Sequence, residues 1–106
     1  MINFIIGLSG VDPKTGQELW LAKIERQNEK EYSMKYLTVL IHKILDESAK
    51  IGGDRGLEGL RNYHTQLLVG ISSDKKDNIR PSFQLSPRVI SRLSAAGASF
   101  DFDPYV

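Results

Sequence analysis

Apolar residues recur along the chain at spacings that predict four strands and two main helices. Residues 2–10 form an apolar, β-branched run typical of a central strand. The turn V-D-P-K-T-G separates it from a second predicted strand, Glu18 to Arg26, and a connection this short favours a β-hairpin. In that second strand, alternation predicts one shared face for three residues, Trp20, Ala22 and Ile24.

A long helix is predicted after this hairpin. Asn28 has the chemistry of an N-cap, with Glu31 as its capping-box partner, and helical periodicity continues to about Ala49. Residues 52–53 are both glycine and end the helix, and Asp54 is predicted to cap a short, weak helix. The apolar stripe of the long helix comprises Leu37, Leu40, Ile41, Ile44 and Ser48, widened by Tyr36, Val39 and Leu45.

The last third of the chain predicts a strand, a helix and a strand. Tyr63 to Ser72 alternates as a third strand, and residues 83–85 suggest a brief further one. Ser86 is a predicted N-cap, Pro87 suits the first helical position, and Gly97 is a natural left-handed stop. The stripe of this helix comprises Val89, Ile90, Leu93 and Ala96.

A final strand alternates aromatic and acidic residues. Phe100 and Phe102 should face the core beneath the last helix, and Asp101 and Asp103 should point outward. The element order predicts one α/β (α+β) domain spanning residues 1–106. Its architecture should be a two-layer sandwich, with a mixed sheet of four to five strands and two main helices packed on it.

Charge and composition narrow the classes of function. The chain has 106 residues, with 14 lysines and arginines against 13 aspartates and glutamates, and the net charge is +1. This balance argues against a nucleic-acid partner. Cysteine is absent, no basic leader opens the sequence, and no apolar run has the length of a membrane span. We therefore expect a cytoplasmic protein without a membrane partner.

Few residues suggest catalysis. Asp101 and Asp103 share a strand face and could act in acid–base chemistry or hold a cation, but simple alternation also demands polar residues there. His42 and His64 are far apart and lack carboxylates at ligand spacing. The sequence therefore predicts no catalytic set, no metal site and no cofactor. A small enzyme that uses the two aspartates with one histidine remains an alternative.

The C-terminal segment L-S-P-R-V-I-S-R-L-S-A-A-G-A-S-F-D-F-D-P-Y carries a resemblance. It resembles the closing signature of an uncharacterised bacterial family of small α/β domains, the domain of unknown function numbered four-two-seven-nine. The resemblance extends from about Glu18 to Tyr105, and the chain departs from the family in its shorter opening before Trp20. The family has no established catalytic residues to transfer.

Domains of this kind are similar to immunity proteins of bacterial toxin systems, including contact-dependent growth inhibition. The resemblance implies a cytoplasmic protein that binds a cognate toxin domain, often a nuclease, and blocks it. A nuclease cleft must be basic, so the blocking surface should be acidic. The outward-facing candidates are Glu25, Glu29, Glu31, Asp101 and Asp103, with Tyr105 as an aromatic anchor. The alternative is a small ligand-binding or regulatory domain without catalysis, which could form a homodimer.

Overall fold

A computed structural model of the chain describes residues 2–29, 33–73 and 84–103. These ranges contain four strands, two α-helices and a 3-10 helical segment that is interrupted at Gly56, whose φ of 57° and ψ of −130° are not helical. In chain order the elements are β1 (Ile2–Val11), β2 (Glu18–Glu29), α1 (Met34–Ile51), the 3-10 helix (Gly53–Tyr63), β3 (Gln66–Ser73), α2 (Pro87–Ala96) and β4 (Ser99–Asp103).

The four strands form one mixed sheet in the order β2-β1-β3-β4. β1 is antiparallel to both of its neighbours, and β3 and β4 run parallel, joined through α2. The helices pack on this sheet, so the predicted α+β two-layer architecture is confirmed, including the hairpin and the interior position of the first strand.

The core lies between one face of the sheet and the helices. β1 places Ile2, Phe4, Ile6 and Leu8 on that face, all at most 4% exposed. The strand register sets Leu67, Val69 and Ile71 of β3 beside them. The centre of the predicted stripe of α1 is buried, together with Leu45: Leu37, Leu40, Ile41, Ile44 and Ser48. The two other residues predicted to widen the stripe, Tyr36 and Val39, are exposed.

The start of α1 differs from the prediction. Asn28 lies within β2 and is not a helix cap, and its expected partner Glu31 lies outside the described residues. Ser33 is the N-cap, and its hydroxyl accepts a hydrogen bond from the Tyr36 amide at 3.3 Å. The prediction failed because β2 continues to pair with β1 as far as Glu29, and strand pairing overrode a local capping pattern.

The 3-10 helix connects α1 to β3, and it differs from the prediction at both of its ends. It begins at Gly53 without a side-chain cap, so Asp54 does not cap it. Tyr63 ends this helix and does not begin the third strand, because His64 adopts left-handed backbone angles, with φ of 49°, before pairing starts at Gln66. Leu60 is fully buried and ties the segment to the core.

The C-terminal unit follows the sequence pattern closely at its helix. Ser86 accepts a hydrogen bond from the Val89 amide at 3.2 Å, and Pro87 occupies the first turn. Gly97 ends α2 with a φ of 64°. Val89, Leu93 and Ala96 are buried as predicted, but Ile90 is 52% exposed because it lies at the margin of the stripe.

The predicted aromatic face of β4 is only half correct. Phe102 packs partly buried against the core, whereas Phe100 is 36% exposed. Both rings lie on an edge strand, where the helix layer provides less cover than it does over β1 and β3. Of the brief strand expected at residues 83–85, Phe83 lies outside the described residues, and Gln84 and Leu85 are not in a strand.

Two positions on α2 provide a matched test of the core. Leu93→Ala should lower the free energy of unfolding by about 2–5 kcal/mol, because it leaves a cavity between helix and sheet. Ile90→Ala should cost about 0.5 kcal/mol or less, because its side chain is half exposed. Urea denaturation of both variants measures the difference, and equal losses would show that the buried face of α2 is misassigned.

Candidate partner-binding surface

One face of the sheet carries no helix from the described part of the chain, and we call it the open face. Residues that pair across neighbouring strands share a face, so the register identifies its members. They alternate with the core residues of β1 and β3, and they come from all four strands: Asn3, Ile5, Gly7, Ser9, Val11, Glu18, Trp20, Lys23, Glu25, Gln66, Leu68, Gly70, Ser72, Ser99, Asp101 and Asp103.

A β-bulge in β2 determines which of its residues belong to the open face. Leu8 pairs with Ala22, but the next residue of β1, Ser9, pairs with Trp20, so Leu21 is an extra residue. Trp20 therefore lies on the face opposite Ala22 and Ile24, and the predicted shared face of these three residues is wrong. Alternation cannot reveal this shift, because the bulge arises from pairing with another strand.

Two rows of residues cross the open face from edge to edge. One row runs from Glu25 through Ile5 and Gly70 to Asp103. The other row runs from Lys23 through Gly7 and Leu68 to Asp101. Three strand spacings separate the ends of each row, about 14 Å. Charged side chains therefore line both edges, and glycine and apolar residues occupy the centre.

The open face is acidic although the chain is not. Among the described residues that the register places on it, the charged side chains are four carboxylates and one ammonium group, while the whole chain carries a net charge of +1. The ammonium group belongs to Lys23, whose Nζ lies 2.9 Å from a Glu25 oxygen. Both side chains are substantially exposed, so this ion pair adds little to stability. The carboxylates are Glu18, Glu25, Asp101 and Asp103. Arg26 pairs with Phe4, so the register places it on the helix-bearing side, although it also lines a depression that opens on the open face.

Trp20 is the large aromatic side chain of the open face and is 43% exposed. Its ring leans over Gly7 so closely that a Cβ on residue 7 would lie 2.5 Å from Trp20 Cζ3. Lys23 Nζ is 5.4 Å from the ring centroid, within the range of a cation–π interaction. Glycine at position 7 is therefore what allows the indole to lie against the sheet.

Two shallow depressions lie on the open face. One is lined by Asn3, Phe4, Ile5, Glu25, Arg26, Gln27, Gly70 and Ser72. The other, which we call the Trp20 depression, is lined by Ser9, Glu18, Leu19, Trp20, Gln66, Leu68 and Asp101. The Trp20 depression combines an aromatic wall, an apolar floor and two carboxylates.

The structure brings together three of the six site residues predicted from the sequence. Glu25, Asp101 and Asp103 all lie exposed on the open face. Glu29 does not join them, because it pairs with Ile2 and so lies on the helix-bearing side of the sheet. Glu31 and Tyr105 lie outside the described residues.

Two members of this surface are not among the site residues that the sequence predicts. The sequence identifies Glu18 only as the start of a strand, and simple alternation places Trp20 on the same face as Ala22 and Ile24. No local signal therefore indicates that the indole lies beside Lys23. The one signal elsewhere in the sequence is Gly7, which pairs with Lys23, because a glycine within a strand often marks the close approach of another group.

The two histidines belong to different parts of the fold. His42 belongs to α1 in the helix layer, and its Nδ1 lies 2.8 Å from Arg92 Nη1 of α2. Arginine cannot accept a hydrogen bond, so His42 Nδ1 is the acceptor. Arg92 Nη2 also donates to Asp46 at 2.6 Å. His64 is exposed just before β3.

The pKa of His42 is lowered from its ordinary value of 6.5. Burial is the largest cause, followed by the positive charges of Arg92 and Arg88, and Asp46 opposes the shift. The imidazole is thereby held in the neutral form that accepts the Arg92 hydrogen bond. His42 is therefore a structural link between α1 and α2.

Within residues 2–29, 33–73 and 84–103, no group of three or more His, Asp or Glu side chains is placed to hold a metal ion. No helix in these ranges is long and apolar enough to cross a membrane.

Comparison with known proteins identifies no similar family, protein or structure. A scan against protein-family models, a search of curated proteins and a search of solved structures find no match. The family resemblance carried by the C-terminal segment therefore stays a prediction.

The contact between Trp20 and Gly7 can be tested directly. Gly7→Ala should push the indole off the sheet, because the added methyl would occupy space held by the ring. Since Trp20 is the single tryptophan of the chain, its emission should shift to the red and become easier to quench with acrylamide. Ser9→Ala, on the same strand and face, is the control. Unchanged quenching in Gly7→Ala would contradict the contact.

The histidine link predicts a dependence of stability on pH. Because the folded-state pKa of His42 is lowered, its contribution is present above the ordinary pKa of 6.5 and is lost as pH falls through the folded-state value. Urea denaturation at a series of pH values between about 7.5 and 5 measures this contribution. The free energy of unfolding of the wild type should fall over this range by an amount that His42→Gln does not lose. Parallel pH profiles for the two proteins would contradict this role.

Proposed function

We propose that this protein binds a basic partner protein through its open face and acts as an immunity protein, neutralising a cognate bacterial toxin domain in the cytoplasm. The toxin would belong to a contact-dependent growth inhibition or related system. The observation that supports the proposal is the separation of charge: the described residues on the open face include four carboxylates and one ammonium group, in a chain whose net charge is +1.

The shape of the open face suits a protein partner. Gly7 and Gly70 carry no side chains at the centre of the sheet, where the Trp20 indole covers Gly7, and the charged groups lie at both edges. An exposed tryptophan beside a polar rim is a common anchor of protein interfaces. Half-buried Ile5 and Leu68 supply apolar area between the rows of charge.

A nuclease toxin would complement this surface. Its active cleft must hold phosphates and is therefore lined by lysine and arginine. Carboxylates about 14 Å apart could engage both sides of such a cleft. Their field would mainly accelerate association and set specificity, so high salt should slow the binding.

The alternatives receive less support from the same residues. A homodimer formed through two open faces would bring like-charged carboxylates together, which opposes self-association. A small enzyme would need a histidine near the aspartates, but His42 lies in the helix layer. His64 precedes Gln66, whose partner on β4 is Ser99 and not an aspartate. We therefore propose a role by binding alone, without a cofactor.

The test is co-expression with the C-terminal domain encoded by the neighbouring gene, which the proposal predicts to belong to a secreted toxin. Wild-type protein should protect the cells, and Asp101→Asn/Asp103→Asn should protect them less and bind the domain about tenfold more weakly or worse. Thermal melting establishes that the double variant folds. Binding kinetics at low and high salt should place much of the loss in the association rate.

The matched control changes the same amount of charge on the helix side. Asp54→Asn/Glu58→Gln alters two exposed carboxylates of the 3-10 helix and should leave protection and affinity unchanged. Equal loss in both double variants would indicate a general charge effect and not a binding face. If cells die equally with and without the wild-type protein, the immunity role is wrong.

A further inference from the structure

We propose that the Trp20 depression binds an arginine side chain presented by the partner protein. The inference names the chemistry that the open face recognises, so its occupant rests on the proposed function. The depression itself can be tested without the partner. It is lined by residues of all four strands, and three of its features point to a cation with an apolar stem.

The first feature is two carboxylates at opposite margins of the depression. The register places Glu18 at the level of Val11 and Asp101 at the level of Gly7, so they supply negative potential from two sides and do not converge on one atom. Glu18 belongs to β2 and Asp101 to β4, and both line the depression. Within the described part of the chain neither carboxylate takes part in an ion pair, in contrast to Glu25, which lies 2.9 Å from Lys23. Two carboxylates without a cation at the margins of one depression favour a positively charged ligand.

The second feature is the aromatic wall. Trp20 lines the depression and is 43% exposed, and contact with Gly7 limits where its ring can lie. Lys23 Nζ lies 5.4 Å from the ring centroid, within the range at which a cation and an indole interact favourably. The ring is therefore held in place before a ligand arrives, and less entropy is lost on binding.

The third feature is the remaining lining. Leu68 provides an apolar contact for the methylene stem of a long side chain, and Ser9 and Gln66 provide hydrogen-bonding groups. Arginine fits this combination better than lysine. Its planar guanidinium stacks on an indole, donates to two acceptors at once and is less strongly hydrated than an ammonium group.

Because Trp20 is the single tryptophan, its fluorescence reports on this site alone. The probe is N-acetyl-arginine N-methylamide, which mimics an arginine within a chain. We expect a saturable change in emission, with a dissociation constant of about 1–10 mM, the range of a single side chain. The citrulline analogue, a neutral isostere, should bind at least about tenfold more weakly.

Variants on the open face separate the contributions. Asp101→Asn and Glu18→Gln should each weaken binding of the arginine probe about threefold or more. Lys23→Met should strengthen binding, because it removes a competing cation beside Trp20. Glu47→Gln, an exposed carboxylate of α1 that pairs with Lys50, is the control and should bind as the wild type does.

Three results with these probes would overturn the inference. The first is the absence of a saturable response to the arginine probe, and the second is equal binding of the citrulline analogue. The third is equal binding of the lysine analogue, which would show that the site binds cations in general. Free L-arginine binding about tenfold more tightly than the blocked probe would indicate a small-molecule ligand. Arginine binding that persists while the toxin test fails would support this site and refute the immunity role.

Discussion

The rest of the structure depends on the pairing of β1 with strands on both sides. Its even-numbered apolar residues, from Ile2 to Leu8, form the floor of the core, and the helices must cover them. Because side chains alternate along a strand, burial of this face places the odd-numbered residues of β1 on the open face. A single alternation therefore creates both the stable core and the surface that is free to bind.

The consequences for that surface follow from position in the sheet. Edge strands carry the charged side chains, and the two interior strands carry glycine and apolar residues at the same level. This arrangement concentrates carboxylates without burying any of them, so their repulsion is moderated by water. The helix layer holds its own polar link, from Arg92 to His42 and Asp46, on the opposite side of the molecule.

Much of the fold could be predicted because its signals are local. The cap at Ser86, the stop at Gly97 and the stripe of α1 each depend on residues within a few positions of one another. The same holds for Asp101 and Asp103, which strict alternation places on one face. The errors fell where two distant segments meet. Asn28 has good capping chemistry, but pairing with β1 extended β2 past it.

The candidate site shows the same division between sequence and tertiary structure. The sequence by itself determined the element order, the core of each helix and the outward direction of the aspartates, because periodicity and caps act within single segments. Only the tertiary structure decided that Leu21 bulges, that Trp20 lies over Gly7, and that the carboxylates of β2 and β4 share a face. Those outcomes depend on strand register, and register is a property of paired segments that neither segment encodes alone.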